Sequence, residues 1–245
     1  MQNNSLQTGQ QANPQKPEFT IWKIIPGIII SILMPTLCLI MISGNWNWWE
    51  GWTLILVTSL ITVAGRYILI RKHPGLANER ANYKEKEGTQ EWDKKLMPLI
   101  AIYGPIAVWA VAGLDKRFSL STVLPPEIEI AAFLIITIAY LFSTWAMLEN
   151  QFFAAIVRIQ HDRDHKVIDS GPYAIVRHPG YAGSFIASLF IPLALSTFWV
   201  YIPVLLANLI VFVRTAKEDQ FLQAELPGYA DYTQKTRYRL IPGIW

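Results

Sequence analysis

Three of the four histidines in this 245-residue chain fall in one polar stretch set between apolar runs. It reads Gln160-His161-Asp162-Arg163-Asp164-His165-Lys166-Val167-Ile168-Asp169-Ser170-Gly171-Pro172-Tyr173, and is followed by Arg177-His178-Pro179-Gly180-Tyr181. Two chemistries suit such a cluster. His161 and His165 are four apart and would share a helix face, as paired imidazole ligands of a metal do. Against this, the lone cysteine, Cys38, lies inside an apolar run, and Gly171-Pro172 interrupts a long helix here, so no metal site is expected. The second chemistry is the binding of an organic cofactor that carries opposite charges. Pro179 suits the first position of a helix, where free amides attract anions. Arg214 and Glu218, four apart, stack on one helix face. If the chain between these two places folds back, His178 and Tyr181 come beside Arg214 and Glu218, and a cation, a carboxylate, an aromatic ring and an imidazole converge. The blander alternative is a set of interfacial anchors with a surface ion pair worth about 0.3 kcal/mol.

The elements that must position these residues are membrane helices. Hydrophobic residues make up 52% of the chain and charged ones only 16%, against about a quarter in soluble domains. This composition excludes an ordinary soluble enzyme and a disordered chain. About six apolar segments can be drawn: Ile21–Ile42, Trp52–Ile70, Leu96–Leu114, Ile128–Leu148, Tyr181–Leu195 and Phe198–Val213. Only Ser196 and Thr197 separate the last two, which reads as a helical hairpin whose short arms leave the turn inside the bilayer, covered by neighbouring helices. Pro26, Pro35, Pro98, Pro105, Pro192 and Pro203 interrupt apolar runs and predict kinks. The polar segment Leu76–Trp92 reads as a solvated surface helix or loop. Residues 1–19 form a polar, disordered lead, 20–148 a four-helix transmembrane region, and 149–245 a core that holds the polar stretch, the hairpin and a tail.

Orientation follows from the cations. Arg71, Lys72, Arg80, Lys84, Lys86, Lys94 and Lys95 fall in one connection, Arg158, Arg163, Lys166 and Arg177 in the polar stretch, and Arg214, Lys217, Lys235, Arg237 and Arg239 at the end. With six crossings, all three groups share the cytosolic side, as do both termini. The loop with Trp46, Trp48 and Trp49 carries no cation and faces away, its tryptophans forming an interfacial belt. A net charge of +3 gives no case for a nucleic acid partner.

The segment His165–Gly183, then Arg214-Thr215-Ala216-Lys217-Glu218, then Leu226-Pro227-Gly228-Tyr229-Ala230-Asp231-Tyr232, resembles the isoprenylcysteine carboxyl methyltransferase family and the related membrane methyltransferases, which include phospholipid N-methyltransferases. The ordered set, Ser-Gly-x-Tyr, Arg-His-Pro-x-Tyr, Arg-x-x-x-Glu and Gly-Tyr-x-x-Tyr, carries the resemblance over about a third of the chain. It implies an all-α integral membrane enzyme that binds S-adenosyl-L-methionine on the cytosolic side and methylates a lipophilic acceptor entering from the bilayer. The cofactor contacts it implies fall on Gln160, His165, Lys166, Val167, Ile168, Tyr173, His178, Pro179, Gly180, Tyr181 and Glu218. The arginine at the reacting end of the acceptor falls on Arg214, where a guanidinium fork would suit a carboxylate.

Methyl transfer from a sulfonium to a carboxylate needs little acid or base work, so alignment and water exclusion would supply most of the acceleration. An amine acceptor would need a base, and His178 or Glu218 would take that part. Two rival readings stand beside this one. A membrane reductase of the sterol-reductase type shares an Arg-His-Pro-x-Tyr element but would use NADPH. A transporter or assembly protein would gather its polar groups near the midplane instead of at one interface.

Overall fold

The computed structural model describes residues 25–83 and 86–245. The polar lead at 1–19, the first residues of the first apolar segment, and Lys84 lie outside the described residues. All regular structure among those described is helical: α1 (Ile25–Pro35), α2 (Trp49–Lys72), α3 (Pro74–Ala81), α4 (Glu91–Pro98), α5 (Gly104–Phe118), α6 (Pro126–Glu149), α7 (Pro179–Ala194), α8 (Tyr201–Glu225) and α9 (Tyr229–Lys235). Proline sets two of the expected irregularities. Pro35 and Pro98 each remove a backbone donor, and a wider π-helical turn follows each, at Thr36–Met41 and Leu99–Tyr103.

Among the described residues, four helices are long and apolar enough to cross a membrane: Trp49–Lys72, Glu91–Phe118, Pro126–Glu149 and Phe198–Glu225. The apolar helix Pro179–Ala194 is shorter, and Ile25–Met41 is the described part of the first apolar segment, so four such helices stand among the described residues where the sequence suggests about six segments. At 1.5 Å per residue, 24 residues reach about 36 Å, beyond a hydrocarbon core of about 30 Å, and 16 residues reach only about 24 Å. The fourth, Phe198–Glu225, runs well past Val213, where its apolar run ends. The outward face of α6, with Leu134, Ile138 and Leu141, stays exposed, as lipid-facing residues must. The chain is an integral membrane protein.

The main core lies where the π-helical turn after α1 meets α2, α5, α6, α7 and the start of α8, and small side chains recur at its helix contacts: Ala112, Ala132, Ala139, Ala187 and Ala194. They let backbones approach where solvent drives no association. The contact between α6 and α7 is the most extensive in the molecule. α7 and α8 run antiparallel, joined near their turn by Ser188 and Asn208 and near the other end by Tyr181 and Glu218. The turn itself is covered, with Ser196 and Thr197 buried.

One expectation fails. The stretch Leu76–Trp92 is no solvated face, because Leu76, Ala77 and Glu79 of α3 are buried. Glu79 accepts from Arg158 Nε at 2.9 Å and pairs with Lys86 Nζ at 2.9 Å. Burial alone would raise its carboxyl, but the two cations hold it below the ordinary range. The charges that suggest a solvated helix are instead spent anchoring the polar stretch to α3.

Candidate active site

The polar stretch leaves α6 at Asn150, whose amide still bonds to Ala146 O and whose Oδ1 accepts from the Phe152 amide at 2.8 Å. The chain then runs without regular structure and is pinned at both edges. The Val157 amide donates to Asp93 Oδ2 at 2.7 Å, and the Gln90 amide donates to Val157 O at 3.1 Å. Gln160 is 1% exposed and locks the loop from within, with Nε2 donating to Phe152 O at 2.8 Å and Oε1 accepting from Arg163 at 2.6 Å. His165 packs on the Phe152 ring at 4.6 Å between centroids, and its Nδ1 lies 3.4 Å from the Gln160 amide. Burial, reinforced by Arg163 and Arg158, holds the His165 pKa down to about 4, so the ring is neutral. His161 sits in a short 3-10 turn that ends at left-handed Asp164, so it does not share a helix face with His165. Among the described residues no three histidine, cysteine or acidic side chains gather as metal ligands would.

α7 starts at Pro179, where proline at the first helical position costs no hydrogen bond. Gly180 follows because there is no room for anything larger: a Cβ there would lie 2.6 Å from the Phe153 ring. Just ahead of the helix, Arg177 and His178 are bound by their backbone amides to Tyr238 O and Arg239 O, each at 2.9 Å. Their side chains converge on Asp219, which is fully buried. Arg177 forks onto both of its oxygens at 2.7 and 2.9 Å, and Arg239, Gln223 and Tyr229 donate to it as well. His178 Nε2 lies 3.2 Å from Asp219 Oδ1, and its ring stacks on Tyr181 at 5.9 Å.

Tyr181 links the start of α7 to α8 at the end of the pair away from the turn. Its hydroxyl accepts from Arg214 Nη1 at 2.6 Å and donates to Glu218 Oε2 at 2.7 Å. Arg214 and Glu218 are therefore no simple surface ion pair. The guanidinium, 6% exposed, forks onto Asp93 at 2.6 and 3.2 Å and donates to Ala155 O at 3.1 Å. With Nη1 on Tyr181, one of the five N–H bonds of a guanidinium is left over. The fork expected for an acceptor thus holds Asp93, and a single donor remains for anything else. Neither Asp93 nor Asp219 was singled out from the sequence.

The tail closes the site from the far side. Gly228 takes φ +82°, a left-handed turn that only glycine adopts freely, and reverses the chain between α8 and α9. Tyr229 and Tyr232 then lie three apart on one face of α9 and pack with Tyr173, Leu226 and Ala146, with Val167 and Ile168 against them. The Tyr232 hydroxyl donates to Tyr173 O at 2.6 Å. Burial raises the hydroxyl pKa of Tyr173, Tyr229 and Tyr232, so all three stay protonated.

Between these walls lies a cavity of about 340 Å³. Every cofactor or acceptor contact that the resemblance implies borders it: Gln160, His165, Lys166, Val167, Ile168, Tyr173, His178, Pro179, Gly180, Tyr181, Arg214 and Glu218, whereas His161 does not. They are not equivalent. Gln160 spends its carboxamide on the loop, Lys166 stands exposed, Val167, Ile168 and Tyr173 form an apolar wall, and Glu218 offers a half-buried carboxylate whose Oε1 has no hydrogen bond among the described residues. Arg177, Tyr229, Tyr232, Phe153 and Arg80 also border the cavity, although sequence reasoning did not place them in the site. For Arg177 and the two tyrosines a signal was present, since they belong to the Arg-His-Pro-x-Tyr and Gly-Tyr-x-x-Tyr elements themselves.

The donor set, one carboxylate beside an aromatic and aliphatic wall with cations at the rim, fits a zwitterionic nucleoside with a positive centre, such as S-adenosyl-L-methionine. No curated protein matches the chain. Residues 130–224, which run from α6 through the polar stretch and α7 nearly to the end of α8, match the isoprenylcysteine carboxyl methyltransferase (ICMT) family, the family that the motifs resemble and one of membrane methyltransferases.

Proposed function

We propose that the protein uses S-adenosyl-L-methionine to methylate the carboxylate of a lipophilic acceptor that reaches the site from the bilayer, with an S-prenylated cysteine as the acceptor type closest to the family match. One observation carries this reading: the residues that type and spacing single out, His178, Tyr181, Arg214 and Glu218, border one cavity together with those the family resemblance implies. When bound, the cofactor supplies a methyl group on a positively charged sulfur, and transfer to a carboxylate cancels both charges. Glu218 supplies the counter-charge for a cationic ligand and is oriented by the Tyr181 hydroxyl. Tyr173, Val167 and Ile168 offer the apolar face an adenine needs, and Lys166 stands at the rim for a carboxylate. Asp219 fixes the His178 ring, and Asp93 fixes Arg214, so that the remaining guanidinium N–H meets the reacting end of the acceptor. Preorganisation of this kind, with water excluded by the tail, is what an in-line displacement requires.

The same reading places the site and both termini on the cytosolic side. Arg80, Arg158, Arg163, Lys166, Arg177 and Arg239 gather near the cavity, whereas Lys116 and Arg117 stand at the end of α5 near the far turn. The experiment uses the full-length protein in detergent. S-adenosylmethionine and its demethylated product raise the melting temperature, as a ligand selective for the folded state does, and NADPH does not. Glu218→Ala loses cofactor affinity, while Arg214→Ala keeps it and loses transfer of labelled methyl to membranes. No shift at saturating ligand, or protection by NADPH alone, would refute the proposal.

A further inference from the structure

A second cavity, of about 660 Å³, lies beside the first among α1, α2, α3, α6 and α7, with Trp109 of α5 at its wall. The two share Arg80, Phe153, Ala155, Gly180 and Ser184 in their linings, so Arg80 faces both. The larger cavity is lined by aliphatic and aromatic side chains interspersed with serine and threonine hydroxyls, many of them on the spanning helices α2 and α6, and Arg66 of α2 also borders it. An arginine within a spanning helix costs up to about 2.5–3.5 kcal/mol on insertion scales, and such residues mark functional sites by default.

What makes Arg66 informative is what surrounds it. Among the described residues no carboxylate lies within ion-pair distance of it, and its charged neighbour is another guanidinium. Burial, and then the Arg66 charge, push the Arg80 pKa down to about 10, so the two guanidiniums repel each other. Among the described residues Arg80 has one hydrogen bond, from Nη1 to Phe153 O at 2.9 Å, and its guanidinium lies over the Phe153 ring at 5.6 Å. The nearby acids are spent elsewhere: Glu79 on Arg158 and Lys86, and Asp93 on Arg214. Two guanidiniums without an acid among the described residues, on a largely uncharged chamber that shares a wall with the proposed methylation site, form a pocket for an amphiphilic anion.

We propose that the larger cavity is the acceptor chamber and that Arg66 and Arg80 are its specificity-determining residues, holding the carboxylate of a lipophilic acid at the junction of the two cavities while the acid's apolar body fills the rest. The inference rests on the methyltransferase reading and assigns to this pair the charge recognition for which Arg214, forked onto Asp93, keeps only one donor. A carboxylate oxygen forms the bond to the methyl carbon, the sulfur–methyl bond breaks, and its electron pair returns to sulfur. The acceptor's negative charge and the sulfonium's positive charge vanish together. The ester product is neutral and loses the attraction of both arginines, so the chamber releases what the site has made.

The test measures binding of labelled palmitate and of labelled methyl palmitate to the full-length protein in detergent, with S-adenosylmethionine binding measured separately. The unmodified protein prefers the acid. Arg66→Gln and Arg80→Gln each lower palmitate affinity about 10- to 100-fold, the weight of a hydrogen bond to a charged group, and leave methyl palmitate unchanged. Arg66→Lys retains part of the preference, which separates charge recognition from a packing defect. Equal affinity for acid and ester in the unmodified protein, or undiminished palmitate affinity in a folded Arg66→Gln, would overturn the inference. An acid preference without S-adenosylmethionine binding would keep the clamp and remove the methyltransferase reading; cofactor binding without any acid preference would do the reverse.

Discussion

The two ends of the α7–α8 pair both bury carboxylates, and they use them differently. At the turn, Ser196 donates to Glu129 at 2.5 Å and accepts from the Leu124 amide at 2.8 Å, while Asp115 accepts from Ser121 at 2.7 Å and from the Trp199 amide at 3.2 Å. The donors there are backbone amides and hydroxyls, and their effect is to staple a chain reversal. At the open end, Asp93 and Asp219 hold the guanidinium forks of Arg214 and Arg177, and a cavity lies against them. Buried charge alone therefore does not mark a site. What distinguishes the open end is that the side chains fixed by each acid keep a second face turned toward empty space.

The comparison breaks most visibly at Asp219. Its two oxygens take Arg177, Arg239, Gln223, Tyr229 and His178, so Asp219→Ala leaves the buried Arg177 and the half-buried Arg239 without their acid. Removing one partner of a buried pair costs about 3–5 kcal/mol. The expected outcome is a large fall in melting temperature together with loss of cofactor binding, because α9 and the His178 ring lose a common anchor. A variant of unchanged stability would show that the open end is held by its apolar contacts instead.

A second difference between the ends is their response to acid. His165 is neutral in the folded protein down to about pH 4, whereas in the unfolded chain it takes a proton near its ordinary 6.5. Between these values the unfolded state binds more protons, so the stability that neutral His165 contributes is complete above about 6.5 and is lost as pH falls toward 4. At about 1.4 kcal/mol per unit the loss reaches at most about 3 kcal/mol. Melting temperatures measured across that window fall for the unmodified protein, and His165→Gln flattens the slope. An equal slope in both proteins would locate the acid sensitivity outside the loop.

How much of this was legible in the sequence depends on distance along the chain. Arg214, Glu218, His178 and Tyr181 were readable because type and spacing place them: four residues make one helix turn, and Pro179 marks a helix start. The partners were not. Arg214 and Asp93 are 121 residues apart, and no periodicity pairs distant helices. The length of α8 was misjudged for a related reason. The apolar run ends at Val213, but the helix continues to Glu225 because its polar residues face the cavity and tail, not lipid. Glu79 was misread likewise: an acid among lysines suggests solvent until Arg158, 79 residues on, is seen to bury it.

The smallest expected effect lies at the turn and sharpens the contrast. Ser196 sits at a left-handed φ of 50° with its hydroxyl between Glu129 and the Leu124 amide. Ser196→Ala keeps a side chain of nearly the same volume and removes only that hydroxyl. It leaves a buried carboxylate short of one donor and a backbone amide short of its acceptor. The cost of a buried group left unsatisfied is about 1–3 kcal/mol, reduced where the chain can shift to find another partner. Stability should therefore fall modestly, and S-adenosylmethionine affinity should not change, since none of these residues borders either cavity. If the substitution weakened cofactor binding while the protein stayed folded, the two ends of the helix pair would be mechanically coupled, and the division between a stapled turn and a functional open end would no longer hold.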